Sequence, residues 1–358
     1  MKAFLIIPTL KQGGAERVIS ELANQFAEND VEVHLVLLAK AEDFYTVNNK
    51  VIIHRLDFEN KGKLQKIASE LQVFIKLRRL LKAYKPDATL SFMDQFNVLT
   101  ILASRFLNLR VFVSDRSSPT LKLPFFLYLL KKLTYRYASG VVAQTSMAKQ
   151  LIEKLTNHKN IEVIPNPLKQ VQFFPEIIRQ KIIINIGRLV PEKGQKYLLQ
   201  AFSQLEAEDW QLVILGDGPL RLDLEHQVSD LGLNSRVLMP GAVTDVDKWL
   251  AKASIFAFSS ISEGFPNALV EGMAAGLACV SFDCDAGPRD IIKHGVNGFL
   301  VQEKNIGDLA EKMSILIKDP ILLGEFGTNA KVVRDKYNIE SICRDYINFL
   351  SGNQNRND

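Results

Sequence analysis

Short, mostly apolar, strand-like runs alternate with helical stretches along the chain. In the first half they cover residues 2–8, 32–38, 51–54, 88–92, 110–113 and 140–143, and in the second half residues 181–187, 210–215, 255–258 and 279–282. Runs of this kind are typical of strands buried on both faces of a sheet. Strands that alternate with helices form parallel sheets. The fold class predicted from these runs is therefore α/β.

The length of 358 residues favours two domains over a single core. An irregular, proline-containing segment near residues 165–180 is the best candidate for the boundary. We therefore predict a first domain over 1–168, a linker over 169–180, a second domain over 181–350 and a disordered tail over 351–358. The sequence leaves open whether the last helix crosses back to the first domain.

Charge is distributed unevenly between the two halves. Residues 1–170 contain 25 Lys and Arg against 15 Asp and Glu, a net charge of +10, whereas residues 171–358 contain 19 against 25, a net charge of −6. A basic half indicates an anionic surface or substrate. No nucleic-acid-binding motif is present, and apolar residues interrupt the basic segments, which favours a membrane surface over nucleic acid.

Nothing in the sequence predicts secretion or membrane insertion. No run reaches the roughly 18 apolar residues of a membrane span, and the first residues enter a strand-like run at once. The three cysteines, Cys279, Cys284 and Cys343, are too few for a disulfide framework. We therefore expect a cytoplasmic protein with reduced thiols.

Two glutamates bracket the start of a predicted helix after the 255–258 run. Glu263 lies in the loop, and Glu271 follows eight residues later, about two turns into the helix. The N–H groups at a helix start favour anions, and the carboxylates can accept hydrogen bonds from hydroxyls on either side. A ligand with hydroxyls flanking phosphates is a nucleotide sugar. The alternative is a surface turn whose acid stabilises the helix dipole.

Two cations and a glycine follow neighbouring strands of the second half. Arg188 and Lys193 come directly after the 181–187 run, where they could hold a diphosphate through charge-assisted bonds. Gly216 ends the 210–215 run, and Asp217 is predicted to cap the next helix. Asp283 and Asp285 match an Asp-x-Asp metal motif, but cations already stand where the phosphates would lie, so we expect no metal.

The first half has its own candidate loop after residues 2–8. Gly13 and Gly14 would let the backbone approach a phosphate, although a plain loop before a helix is the alternative. The loop lacks Gly-x-Gly-x-x-Gly, so a dinucleotide-dependent oxidoreductase is poorly supported.

Two basic helical stretches are candidates for a membrane surface or for the diphosphate of a lipid-linked acceptor. In residues 61–85, Arg78, Lys82 and Lys85 share one helix face. In residues 121–137 an apolar run that is too short to span a bilayer ends in Lys131 and Lys132. The alternative for both is a solvated basic face over a core stripe, which in the first stretch comprises Leu64, Ile67, Leu71, Phe74 and Leu81.

Several of these motifs, taken in order, resemble family 4 retaining glycosyltransferases. They are the Glu-x7-Glu spacing with Gly-Phe-Pro, the Gly-Gly-Ala-Glu-Arg loop from Gly13, the Gly-Asp-Gly-Pro turn from Gly216, and the Gly-Pro-x-x-Ile-Ile segment from Gly287. The resemblance implies two Rossmann-like domains that face each other across a cleft, the GT-B fold. It implies that Arg188, Lys193 and Glu263 act in catalysis. The implied donor-binding residues are Gly13, Gly14, Arg188, Lys193, Gly216, Glu263, Gly264, Phe265, Pro266, Asn267, Ala268, Leu269 and Glu271.

On the acceptor side the sequence departs from the family. Many members have a His where this chain has Arg116, so Arg116 receives no general-base role. The acceptor contacts that we expect are Glu16, Arg17, Asp115 and Arg116. The implied reaction moves a hexose or N-acetylhexosamine from a UDP-sugar, without a cofactor, to a glycolipid or polyprenyl-diphosphate-linked saccharide at the inner face of the cytoplasmic membrane. The alternative is a catalytically silent nucleotide-sugar-binding or membrane-scaffold protein.

Overall fold

A computed structural model describes residues 1–58 and 63–352, without the side chains of residue 58 and residues 63–68. The described chain divides into two compact units. The first unit is Met1–Pro167 together with the last helix, and the second unit is Leu168–Asn338. Predictions for residues 59–62, for the side chains of Leu64 and Ile67, and for the tail at 353–358 lie outside the described residues.

The first unit is built on one parallel sheet. Its strands lie in the order β3-β2-β1-β4-β5-β6-β7, so β1 is central and the order reverses between β1 and β4. The first unit's described strands are β1 (Lys2–Ile7), β2 (Glu32–Ala39), β3 (Ile52–Phe58), β4 (Ala88–Phe92), β5 (Val111–Ser114), β6 (Gly140–Ala143) and β7 (Ile161–Val163).

Helices cover both faces of this sheet. Alternate residues of β1 face opposite cores: Leu5 packs with α1, and Phe4 packs with the inner face of α2. The helices before residue 168 are α1 (Gly14–Glu28), α2 (Lys63–Tyr84), α3 (Asp94–Ser104), α4 (Phe125–Thr134) and α5 (Ser146–Thr156). Leu71 was wrongly predicted in the core stripe of α2, because the buried positions Val73, Leu77 and Leu81 follow a register that leaves Leu71 58% exposed.

The second unit repeats the design. Its strands lie parallel in the order β10-β9-β8-β11-β12-β13, and the order reverses between β8 and β11. The second unit's strands are β8 (Ile182–Ile186), β9 (Gln211–Leu215), β10 (Val237–Gly241), β11 (Ile255–Phe258), β12 (Ala278–Phe282) and β13 (Gly298–Val301). Its helices are α6 (Gln195–Ser203), α7 (Arg221–Asp230), α8 (Val246–Lys252), α9 (Asn267–Ala274), α10 (Pro288–Ile291), α11 (Ile306–Lys318), α12 (Pro320–Ala330) and α13 (Val333–Lys336).

The last helix, α14 (Ile339–Ser351), belongs to the first unit. Its apolar face, which includes Ile342, Tyr346 and Phe349, is buried in the same core as α1. The ring of Phe349 lies 5.2 Å from that of Phe112 on β5. The second unit therefore ends at Asn338 and not at residue 350 as predicted. The last helix returns to the first unit, which the sequence had left open.

Candidate active site

The strand order of the second unit brings two loops together. β8 and β11 are neighbours, but the chain leaves β8 toward β9 and leaves β11 toward β12, on opposite sides. The carboxyl ends of parallel strands at such a reversal form the usual ligand site of an open α/β sheet. The loop after β8 carries Arg188 and Lys193, and the loop after β11 carries Glu263. All three residues were predicted from the sequence.

Lys193 and Glu263 form an ion pair between these loops. The distance from Lys193 Nζ to Glu263 Oε1 is 2.5 Å, and the side chains are 22% and 10% exposed. The Ser259 hydroxyl donates to the Lys193 carbonyl at 2.9 Å, which holds the loop backbones together. The helix that follows begins at Asn267 without a side-chain cap, so none of the serines before it caps this helix. The two loops thus present one charged, partly buried pair.

The loop after β9 packs directly against the loop after β8. Gly216 has φ +137°, and a Cβ there would lie 2.0 Å from the Gly187 carbonyl oxygen, so only glycine fits. The amide of Leu189 donates to the Asp217 carbonyl at 2.9 Å. The prediction that Asp217 caps α7 was wrong. Its carboxylate instead accepts a hydrogen bond from the Gly218 amide. Gly216 therefore shapes the loop that carries Arg188.

Arg188 is exposed at the rim of this arrangement, so its guanidinium is open to solvent. Its backbone carbonyl accepts a hydrogen bond from Gln195 Nε2 at 3.1 Å, which ties the loop to the start of α6. The backbone position is therefore fixed, while the charged group is available to a ligand.

The stretch from Gly264 to Leu269 splits into core and surface residues. Phe265 is buried, with its ring 5.9 Å from that of Tyr337, and Leu269 is fully buried. The Leu269 amide also donates to the Pro266 carbonyl. The two side chains therefore pack in the core, and the predicted donor contacts of Phe265 and Leu269 stay a prediction for their backbone groups. Gly264, Asn267 and Ala268 remain partly exposed at the helix start.

Glu271 has a cationic partner that the sequence did not reveal. Lys169 Nζ lies 3.7 Å from Glu271 Oε2 and 3.2 Å from Asp247 Oδ1. Lys169 lies in the irregular segment after β7, where no periodicity marks a functional position. This carboxylate, which was predicted to bind the donor, is thus held by a lysine from the start of the second unit.

The Asp-x-Asp sequence is used for a local contact. Asp283 accepts two hydrogen bonds from Arg289, at 3.0 and 2.7 Å. No group of three His, Cys, Asp or Glu side chains in residues 1–58 and 63–352 has an arrangement suited to a metal ion.

In the first unit the glycine loop lies where the order of its sheet reverses. Gly14 begins α1, and the Glu16 carboxylate folds back so that Oε2 lies 2.2 Å from where a Gly13 Cβ would be. Burial raises the pKa of Glu16. Arg17 donates to both carboxylate oxygens of Glu21 and, at 3.3 Å, to the Pro167 carbonyl. The two predicted acceptor residues, Glu16 and Arg17, therefore lie in the first turn of α1. Arg17 already has hydrogen-bond partners inside the first unit.

Asp115 and Lys131 are part of a buried network and not of a surface. Lys131 Nζ lies 2.5 Å from Asp115 Oδ2 and 2.5 Å from Asp94 Oδ1. Tyr135 donates to Asp115 Oδ1 at 2.6 Å. Burial alone would lower the pKa of Lys131, but the two carboxylates outweigh it and raise the pKa. The predictions of acceptor contact for Asp115 and membrane contact for Lys131 were wrong, because their charges neutralise each other in the interior.

Arg116 and Arg78 also have structural partners. Arg116 donates to Asn166 Oδ1 and the Tyr346 hydroxyl, both at 2.6 Å, and lies 3.7 Å above the Phe92 ring centre. Burial lowers the pKa of Arg116. This favours a role in fixing α14 over acceptor contact.

Arg78 is partly buried and donates to the carbonyls of Ala103 and Arg105 at 2.8 Å, which favours a role in fixing the end of α3 over the predicted contact with a membrane or a lipid diphosphate. Lys82, Lys85 and Lys132 are exposed as predicted. None of the described helices is long and apolar enough to cross a membrane.

Two family models together match residues 12–333 of the chain. The model "Glycosyltransferase Family 4" matches residues 12–169, and the model "Glycosyl transferases group 1" matches residues 169–333. The chain belongs to the family 4 glycosyltransferases. Its activity is therefore glycosyl transfer, and the family predicted from the sequence motifs is confirmed.

Curated relatives extend the match over nearly the full length. A Campylobacter jejuni protein named "GalNAc-alpha-(1->4)-GalNAc-alpha-(1->3)-diNAcBac-PP-undecaprenol alpha-1,4-N-acetyl-D-galactosaminyltransferase" is 29% identical over 98% of this chain and 98% of its own. A second one from the same organism, an "N-acetylgalactosamine-N,N'-diacetylbacillosaminyl-diphospho-undecaprenol 4-alpha-N-acetylgalactosaminyltransferase", is 25% identical over 98% of this chain and 100% of its own.

Among solved structures, Anabaena Alr3699/HepE in complex with UDP superposes with a TM-score of 0.83 at 19% identity. The match covers 98% of this chain and 100% of that one. At this identity the likeness shows the fold alone, and it confirms the predicted pair of Rossmann-like halves of a GT-B protein.

Proposed function

We propose that this glycosyltransferase moves a hexose or N-acetylhexosamine from a UDP-sugar, with retention of configuration, to a lipid-linked saccharide. The observation that carries the proposal is the Lys193–Glu263 pair at the strand reversal of the second unit, beside the exposed Arg188. Two cations and a partly buried carboxylate at one edge match a ligand with a diphosphate between hydroxyl-bearing groups.

In the reaction, Arg188 and Lys193 neutralise the charge that develops on the departing diphosphate. This is electrostatic stabilisation of a leaving group by preorganised donors. The Lys193 ammonium has three N–H donors, and Glu263 occupies one, so others can reach a phosphate oxygen. The start of α9 adds N–H groups that favour an anion.

The two glutamates orient the donor from either side of the diphosphate. Glu263, steadied by Lys193, accepts a hydrogen bond from a hydroxyl of the transferred sugar. Glu271, steadied by Lys169, accepts one from the ribose. Charge-assisted hydrogen bonds of this kind contribute about 1.5–3 kcal/mol each. The retaining course is taken from the resemblance to the family, with attack on the face from which UDP departs.

The acceptor is a polyprenyl-diphosphate-linked saccharide or a related glycolipid of surface polysaccharide assembly. Support comes from the printed names of the two Campylobacter jejuni relatives, which both describe undecaprenol-linked substrates. It also comes from the net charge of +10 in residues 1–170, which suits an anionic surface. On this proposal the protein works at the inner face of the cytoplasmic membrane.

A donor screen followed by turnover tests the proposal. We expect one UDP-sugar to raise the melting temperature of the full chain, and UDP to be released when an undecaprenyl-diphosphate-linked saccharide is added. Proton NMR of the product should show the anomeric configuration of the donor. Donor binding without UDP release on any such acceptor would instead identify a silent nucleotide-sugar-binding protein, and an inverted product would exclude retention.

A further inference from the structure

Helix α4 is apolar on the side that faces solvent. Phe125, Phe126, Leu129 and Leu133 form a stripe at positions i, i+1, i+4 and i+8, with exposed fractions of 80, 70, 39 and 45%. The opposite side of α4 packs on the first unit through Leu127 and Leu130. The core therefore accounts for only one side of the helix, and the other side presents a large unpartnered apolar surface among the described residues.

Aromatic and cationic side chains extend this surface beyond the end of α4. Tyr137, in the turn directly after the helix, is 43% exposed, and Phe106 is 89% exposed. The Arg105 guanidinium carbon lies 3.9 Å from the Tyr137 ring centre and 4.9 Å from that of Phe106, so the two rings share one cation. Arg136 stacks on Tyr137 at 4.9 Å. Arginine and tyrosine of this kind combine an apolar body with a polar tip.

The charged residues that flank the stripe along the chain are of one sign. Between Asp115 and Glu153 the sequence contains no Asp or Glu and six Lys or Arg. Lys131 is neutralised inside the network with Asp94 and Asp115, which leaves Lys122, Lys132 and Arg136 exposed beside the apolar residues. An apolar stripe with exposed cations next to it along the chain is complementary to anionic lipid headgroups over acyl chains.

We propose that this surface, defined by Phe106, Phe125, Phe126, Leu129 and Leu133, inserts into the headgroup–acyl boundary of an anionic bilayer. Lys122, Lys132 and Arg136 then lie at the level of the lipid phosphates. The inference deepens the proposed function, since it states how the chain reaches a lipid-linked acceptor. The role of the surface in catalysis rests on the proposed function, whereas its binding to a bilayer does not. It assigns the membrane contact to named, exposed aromatic and aliphatic side chains of the first unit.

Co-sedimentation of the full chain with phosphatidylethanolamine–phosphatidylglycerol vesicles tests the insertion. The double variant Phe125→Ser/Phe126→Ser should bind these vesicles about 100-fold more weakly, because two aromatic side chains no longer leave water. Both positions are exposed, so the melting temperature should not change. The matched control Leu222→Ser/Ile321→Ser alters two residues of the second unit that are 69 and 76% exposed, and should bind as the wild type does.

Salt separates insertion from charge attraction. Vesicle binding of the wild type should weaken but persist in concentrated salt. The variant Lys82→Glu/Lys85→Glu, which alters exposed lysines outside the apolar surface, should bind more weakly in dilute salt and as well as the wild type in concentrated salt. Unchanged vesicle binding by the phenylalanine variant would overturn the proposal. A second result would also overturn it. If sedimentation velocity shows a dimeric wild type and a monomeric phenylalanine variant that still binds vesicles, the surface joins two copies of the chain.

Turnover separates this inference from the proposed function. With a short-chain, water-soluble acceptor the phenylalanine variant should match the wild type, and with the full-length lipid in vesicles it should be slower. If the wild type binds vesicles through this surface but none of the acceptors leads to UDP release, the proposed function fails and the inserted surface stands. If turnover on vesicles is equal in both proteins, the inserted surface fails and the proposed function stands.

Discussion

Replacing Lys193 with methionine should lower the turnover number by about 10²–10³-fold, the usual effect of removing one preorganised donor from a developing negative charge. Lys193 Nζ lies 2.5 Å from Glu263 Oε1, so the substitution also removes the cation that steadies the partly buried carboxylate. Because the lysine acts mainly on the departing diphosphate, we expect the KM for the donor to change less than the turnover number.

A neighbouring lysine provides the control. Lys196→Met removes an exposed charge three residues away, in α6, and should leave turnover within about twofold of the wild type, as expected for a surface change. Steady-state kinetics with the donor identified by the screen measures both variants. Near-normal turnover of Lys193→Met would remove the leaving-group role from this lysine and leave the Glu263 pair with a structural role only.

Lys131→Met should destabilise the first unit by about 3–5 kcal/mol, because two buried carboxylates lose their common cation. Asp94 and Asp115 lie at the carboxyl ends of β4 and β5, and both accept from Lys131 at 2.5 Å. The neighbouring variant Lys132→Met removes an exposed charge from the same helix and should change stability by about 0.5 kcal/mol or less.

Hydrogen exchange of the full chain is the suitable measurement. Both tryptophans, Trp210 and Trp249, lie in the second unit, so intrinsic fluorescence does not report on the first. Peptides of β4, β5 and α4 should lose protection in Lys131→Met. The triple variant Lys131→Met/Asp94→Asn/Asp115→Asn should regain most of it, since no unpaired charge is left inside. Equal protection in Lys131→Met and Lys132→Met would contradict a buried ion network.

Much of the fold and the centre of the site could be predicted because their signals are local. Central strands of both units, such as β1 and β11, come from apolar runs, and the principal donor candidates follow two of these central strands. Arg188 and Lys193 follow β8, and Glu263 follows β11. Parallel strands end at one edge, so position along the chain was enough to place these side chains near one another. The 2.5 Å contact between Lys193 and Glu263 fits that reasoning.

The failures concern charged residues whose partners are distant in sequence. Lys131 looked like the basic end of an amphipathic run, and only its tertiary contacts with Asp94 and Asp115 show that it is buried. Arg116 binds the hydroxyl of Tyr346, 230 residues away, and nothing near either residue predicts that bond. Sequence patterns estimate burial from local periodicity, and a buried ion pair breaks that pattern without a local trace.

The location of a bound donor tests the central claim most directly. A crystal structure with UDP, or with the donor found by the screen, should show the diphosphate within hydrogen-bonding distance of Arg188 and Lys193, at the carboxyl ends of β8 and β11. The ribose should then meet Glu271. Density for the nucleotide at any other edge of the second unit, or on the first unit alone, would contradict the account.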